Sequence, residues 1–379
     1  MLRRAPTCLP LLAVLPLLLL VGCGGPGQEA SASTGAAATV TVSLTDTGCA
    51  PRPARVPAGA VDIEVTNQDA TAVTEAELMR DSRVLGEKEN LTPGLSGTFS
   101  LTLSPGQYTV YCPGADDEKF PLTVTGSERA AAPTDPRLAK AVDSYRHYVQ
   151  DQADRLVRAT TSFAKTLKEG DLAKSKRMYP HVRAYYERIE PVAESFGTLD
   201  PEIDARLSDV ASGAEWTGFH RIEKVLWQGS TTRGTASYSQ ELLADVTRLR
   251  NRVQVLPLQA AQIANGGVDL LDEIANSKIT GEEERYSHTD LYDFEANLQG
   301  VRAVVTALRP VVTRVEPQLM DTIDRQLAAV ETSLDQLRKG GDFVRYTEDT
   351  VPGTVRRDLT GTVDALAESL SQVAPAVVR

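Results

Sequence analysis

The chain has 379 residues, with 40 Lys and Arg against 51 Asp and Glu, a formal charge of −11, and only four histidines and four cysteines. That acidity argues against a nucleic-acid partner and favours cations. The length suggests two domains.

The N-terminus reads MLRRAPTCLPLLAVLPLLLLVGCGG. Arg3 and Arg4 precede an apolar run from Leu9 to Val21 that is short for a membrane span and has the form of a secretory signal. Leu20-Val21-Gly22-Cys23 resembles the lipobox of bacterial lipoproteins. The resemblance implies removal of residues 1–22, diacylation of Cys23 and anchoring to the cell membrane from the extracytoplasmic side. An ordinary signal peptide and an N-terminal membrane helix are the alternatives. Residues 23–37, rich in Gly, Ser and Ala, would form a flexible tether. Removal of the signal takes two arginines with it, leaving 38 basic against 51 acidic residues, a charge of −13. It also discards Cys8, so Cys49 and Cys112 remain in an oxidising compartment.

From 38 to 126 the chain alternates with period two in short runs such as ATVTVSLTDTGC and GAVDIEVTNQDA. Gly, Pro, Asn and Asp punctuate these runs, which predicts a small β-sandwich. The run from Leu103 to Cys112 resembles the penultimate strand and turn of a cupredoxin. Residues 127–136 read as a linker. From 137 to 379 the pattern is helical, with segments near 171–194, 201–228, 236–265, 289–308, 316–339 and 356–375. Together they predict an all-α helix bundle, with breaks or kinks at Pro180, Pro191, Pro257 and Pro310.

The segment GFHRIEKVLW, residues 218–227, places His220 and Glu223 three apart on one helix face. Upstream, Glu187 and Glu190 repeat the same spacing. Bundle metal sites combine carboxylates from one helix with a carboxylate–histidine pair from another, and such a donor set suits iron or manganese, with zinc as an alternative. The bland readings are a surface His–Glu pair and a solvated acidic face. A third cluster, KITGEEERYSHTDLYDFEANLQG at 278–300, holds His288 and Asp290 and is a candidate second site or partner contact. His147 and His181 have no comparable company and read as surface or packing residues.

The phrases YYERIEPVAESFGTLDPEID, EWTGFHRIEKVLW and SKITGEEERYSHTDLYDFEANLQG resemble the imelysin-like (M75) domain of the EfeO family. These are extracytoplasmic components of EfeUOB-type iron uptake systems, and in full-length members a cupredoxin-like domain precedes the M75 domain. The resemblance implies iron, ferrous or ferric, as cargo, an EfeU-type permease as recipient and an EfeB-type haem peroxidase alongside. It carries Glu187, Glu190, His220 and Glu223 over as M75 ligands. In the β-domain it points to Cys49 and Cys112, with Glu75, Glu77 and Tyr111 nearby, as a copper or ferric iron centre. All four histidines lie after residue 146, so a blue-copper site, which needs two, is excluded there. A plain disulfide between Cys49 and Cys112 is the other reading.

The M75 name implies a metallopeptidase. A zincin needs HExxH and its inverted form HxxEH, whereas Lys224 follows Glu223 here. The sequence therefore reads as a metal carrier rather than an enzyme. A lipoprotein adhesin or polysaccharide-binding module is the third class.

Overall fold

The computed structural model describes residues 37–127, 135–210 and 212–378. The signal segment, Cys23, the tether as far as residue 36 and linker residues 128–134 lie outside the described residues.

The N-terminal domain is a cupredoxin-like β-sandwich. Its strands are β1 (Ala38–Leu44), β2 (Arg55–Pro57), β3 (Gly59–Asn67), β4 (Ala76–Arg80), β5 (Arg83–Lys88), β6 (Ser96–Leu103), β7 (Gly106–Tyr111) and β8 (Lys119–Thr125). In β1 the valines Val40 and Val42 point inward while Thr39, Thr41 and Ser43 face out, the two-residue period of a half-buried strand. One sheet has the order β1-β3-β6, with β1 parallel to β3; the other has the order β2-β8-β7-β4-β5. Val61, Ile63, Phe99, Val110 and Leu122 fill the space between them.

Cys49 and Cys112, both buried, are joined as a disulfide with Cα atoms 6.4 Å apart. Of the two readings, the structure therefore has the disulfide, and neither sulfur is a thiolate able to complete a centre with Glu75, Glu77 and Tyr111. The ring of Tyr111 is instead covered by the Lys119 ammonium, 5.1 Å from its centroid. Glu75 and Glu77 turn toward the helical domain's side of the sandwich, where Glu75 lines a cavity described below.

The C-terminal domain is helical: α1 (Pro136–Glu169), α2 (Leu172–Glu187), α3 (Leu199–Asp204), α4 (Gly218–Trp227), α5 (Thr235–Val253), α6 (Ala260–Asn276), α7 (Asp290–Val315), α8 (Pro317–Asp335), α9 (Gly353–Leu370) and α10 (Val373–Val378). Short 3₁₀ turns occupy Glu190–Phe196 and Lys278–Thr280, and a two-stranded hairpin, β9 (Arg338–Lys339) and β10 (Asp342–Phe343), follows α8. α1 begins where the Asp135 carboxylate accepts the Arg137 N–H, with Pro136 in the first turn, and it ends at Gly170 in the left-handed region.

Two predicted helical spans need correction. The stretch 201–228 is two helices, α3 and α4, not one. Gly218 opens α4 at φ +81°, and a Cβ there would lie 2.2 Å from the Ile203 carbonyl oxygen. That close approach sets the start of α4 against the end of α3. The segment 236–265 is likewise two helices, α5 and α6, with the break around Pro257 that this proline predicts, and Pro191 starts a 3₁₀ turn, as expected of a break there. Pro180 and Pro310, however, remain inside α2 and α7. Burial of neighbours such as Tyr179, Val182, Val311 and Val312 outweighs the one backbone bond each proline forfeits.

The two domains are docked. Lys88 on β5 donates to Asp269 Oδ1 at 2.9 Å and Asp272 Oδ2 at 3.1 Å on α6. Asn265 donates to the Ser100 carbonyl at 2.9 Å, and Gln262 to the Val84 carbonyl at 3.4 Å.

Replacing Cys49 and Cys112 by alanine is expected to cost the β-domain roughly 4 kcal/mol, because the closed loop constrains the unfolded chain. Urea unfolding followed by β-sheet circular dichroism would read this; an unshifted midpoint would show that the bond adds nothing.

Candidate metal centre

His220 and Glu223 lie on the inner face of α4, with Phe219, Ile222 and Leu226 packed beside them at essentially zero exposure. His220 is 2% exposed and Glu223 fully buried. The surface-pair reading therefore does not apply. Glu223 Oε1 accepts the backbone N–H groups of Tyr286 at 2.8 Å and Ser287 at 2.7 Å, so it pins the 281–289 loop over the site. Its other oxygen, Oε2, stands 3.5 Å from His220 Nδ1. His220 Nε2 is 3.5 Å from both Asp204 Oδ1 and Glu283 Oε1. These separations are too long for sound hydrogen bonds. Both imidazole nitrogens, Glu223 Oε2, Asp290 Oδ2 and Asp293 Oδ1 are buried without a hydrogen-bond partner among the described residues.

Arg183, reaching in from α2, explains how so many carboxylates share one interior. Its guanidinium is fully buried and pairs with Glu187 Oε1 at 2.7 Å, Glu283 Oε1 at 2.6 Å, Glu284 Oε1 at 2.9 Å, Asp293 Oδ2 at 3.1 Å and Asp204. A second buried cation, Lys278, sits 2.6 Å from Glu190 Oε1 and 3.3 Å from Glu187 Oε2. Asn297 donates to the same two glutamates.

The predicted residues thus divide. His220 and Glu223 are together, within metal-ligating spacing of Glu284, and His220 shares such spacing with Asp204 and Glu283. Glu187 and Glu190 share that spacing with Asp204, but their carboxylates are engaged by Arg183 and Lys278. Asp290 points inward, accepting the Glu284 N–H at 3.2 Å. His288, half-buried at φ +57°, falls in no group of three or more metal-spaced donors among the described residues. His147 is exposed, and His181 is also on the surface, edge-on to Tyr292.

Arg183, Asp204, Lys278, Glu283, Glu284 and Asp293 escaped the sequence reading as participants. The acidic run around Glu283 was visible, but charge density does not reveal which carboxylates face inward. A lone arginine carries no ligand signature at all.

The electrostatics follow from burial against charge. Burial and the Arg183 charge oppose an imidazolium, yet Glu223, Glu283 and Asp204 prevail and hold the His220 pKa well above its usual value. For Glu283, burial is outweighed by Lys278, His220 and Arg183, which keep it ionised well below the ordinary range. For Glu284 burial wins, reinforced by Glu223 and Asp293, and its pKa lies well above normal. Burial also pushes Asp290 and Glu273 up to about 7 and Asp200 to about 6. A cavity of about 20 Å³ touches His220 and Glu223, walled by Arg206, Trp216, Glu283 and Tyr286. One imidazole and several carboxylates around a space of that size fit a single ion such as iron, manganese or zinc.

The two-domain fold agrees with the families that the sequence matches. The imelysin family model matches residues 141–373, and the cupredoxin-like domain model matches residues 13–124. The iron uptake system component EfeO of Escherichia coli (strain K12) is 38% identical over 337 residues, covering 87% of this chain and 89% of the relative. The EfeO proteins of Shigella sonnei (strain Ss046) and Escherichia coli O157:H7 match with the same identity and coverage.

The chain belongs to the EfeO family.

In this EfeO-family chain, replacing Arg183 by methionine is expected to destabilise the metal-free protein by roughly 3–5 kcal/mol, since it strands buried carboxylates without their cation. A divalent metal should raise the melting temperature of that variant more than that of the wild type, because ion and guanidinium serve the same carboxylates. Equal shifts would disprove the competition.

The pKa shifts also set a pH dependence. Asp200, Glu273, Asp290 and His220 all have folded pKa values raised above their unfolded ones, so their stabilising contributions are complete below the unfolded pKa and lost as pH rises through the folded one. Glu283 is depressed and already ionised in both states above pH 5, so it adds no slope there. His288, whose pKa burial lowers, works in the opposite sense. The melting temperature of the metal-free chain should therefore fall between pH 5 and pH 8, checked by calorimetry across that range.

Proposed function

We propose that this protein captures iron outside the cell membrane, at the His220 centre, and hands it to a membrane iron permease. The observation that carries this reading is the set of buried, unpartnered donor atoms on His220 and Glu223, enclosed by more carboxylates than Arg183 and Lys278 neutralise. Leaving such atoms dry and unpaired costs free energy, and a bound cation removes that cost. The iron uptake names of its relatives agree with it.

In this reading His220 and Glu223 Oε2 grip the ion, with Asp204 and Glu283 at hand as further oxygens. Glu223 Oε1 keeps the 281–289 loop closed, so ligand geometry and loop position are coupled through one side chain. Arg183 serves as the counter-charge when no ion is present, which keeps the carboxylates preassembled and makes release reversible. Cys23, lipidated, would hold the protein at the membrane near an EfeU-type permease and an EfeB-type peroxidase. The protein is read as a carrier and not an enzyme, since Lys224 stands where an inverted zincin needs histidine.

Calorimetric titration with ferrous iron under anaerobic conditions, and with ferric citrate, tests this. His220→Ala and Glu223→Ala are each expected to weaken binding by at least about 10–100-fold, the loss that even outer partners of a metal site produce. Unchanged iron binding in both variants would sink the assignment. Peptide release from casein that is abolished in Glu223→Ala would replace it with the peptidase.

A further inference from the structure

A second group of carboxylates lies away from the His220 centre, where β5 and the residues just after it meet the Glu190–Phe196 turn and α6. They border a cavity of about 310 Å³ formed between the two domains. We propose that Glu87, Glu89 and Glu194 form a second cation site, shared by both domains, for a hard, oxygen-preferring divalent or trivalent metal ion.

Three observations carry this. One oxygen from each of the three glutamates lies within 4.8 Å of the others, the spacing of ligands around one ion. Glu87 is only 6% exposed, yet its carboxylate has no hydrogen-bond or ion-pair partner among the described residues and it lines the cavity. A buried, unpaired carboxylate is expensive, and here it is held on a strand of a cupredoxin-like sheet directly opposite a second one, Glu77. Nearby cations do not relieve it. Lys88 is committed to Asp269 and Asp272, Arg206 to Asp209 and Glu283, and Lys278 to Glu187 and Glu190.

The protonation chemistry agrees with the geometry. Burial, then Glu194 and Glu89, hold the Glu87 carboxyl well above the ordinary range, and burial followed by Glu273 and Glu75 pushes Glu89 up to about 8. The donors are all carboxylate oxygens, with no nitrogen or sulfur, which selects hard ions and separates this site from the imidazole-bearing centre. It also differs in construction, since Glu87 and Glu89 come from the β-domain and Glu194 from the helical domain. An ion there ties the domains together. Glu190 lines the same cavity and touches Lys278, which also contacts Glu187 of the His220 centre. The two sites therefore share one continuous run of carboxylates.

The test is a calorimetric and luminescence titration of the full-length protein with terbium(III), an oxygen-seeking trivalent probe. The comparison uses the wild type, Glu87→Gln with Glu194→Gln, Glu89→Gln and His220→Ala. Glu89→Gln alters a half-buried side chain at the cavity, so it keeps the comparison available should the double variant fold poorly. We expect one equivalent to weaken at least about 10-fold in both glutamate variants while it persists in His220→Ala. The melting temperature gained on adding terbium should shrink in the same two variants. Titrations of the glutamate variants that superimpose on the wild type would overturn the second site. Loss of every equivalent in His220→Ala alone would overturn it as well. Retention of all binding in His220→Ala, with loss in the glutamate variants, would support this site while counting against the His220 assignment.

Discussion

The buried guanidinium of Arg183 is the interaction on which the helical domain's interior depends. Five carboxylates from four separate segments, α2, the end of α3, the 281–289 loop and the start of α7, converge on it. Without a cation at that point their mutual repulsion and desolvation would prevent the helices from packing as they do. The hydrophobic contacts of Tyr179, Phe219 and Phe294 surround the cluster and exclude water. The same exclusion strengthens each ion pair within it.

That constraint also makes the centre chemically useful. A fixed cation at the middle of an excess of carboxylates preassembles oxygen donors, and α4 adds a single imidazole to them. The ends of α3 and α4 must touch for Asp204 to meet His220, and Gly218 allows this because its backbone presses on the Ile203 carbonyl where a side chain would collide. Loop closure is recruited to the same centre through Glu223, whose Oε1 holds the loop while Oε2 stands unpartnered beside the imidazole. Positioning is thus distributed over packing, charge and backbone hydrogen bonds, with no single element sufficient.

The domain interface follows a related logic at larger scale. Lys88 neutralises Asp269 and Asp272 across it, and Asn265 and Gln262 donate to the Ser100 and Val84 carbonyls there. Beside these matched contacts lies the cavity whose carboxylates are not matched. The seam is balanced in charge, and the pocket next to it is not.

Much of the fold was legible in the chain itself. Period two in 38–126 and the helical period after 136 reported the sandwich and the bundle, because side-chain alternation is a local property of each element. His220 and Glu223 were legible for the same reason: a three-residue spacing places two side chains on one helix face. Glu187 and Glu190 satisfied that rule equally well, yet what they face was decided by Arg183 and Lys278, one on the same helix and one about ninety residues away. The prolines at 180 and 310 read as breaks or kinks, and burial of their neighbours kept each helix continuous. The choice between disulfide and thiolate ligand at Cys49 and Cys112 depended on whether two distant strands bring the sulfurs together. The sequence by itself determined element type, order and the His220–Glu223 pairing on a single helix face. The tertiary structure decided which charges meet, because electrostatic partnership is set by distance in the folded interior, and that distance is not encoded in any local pattern.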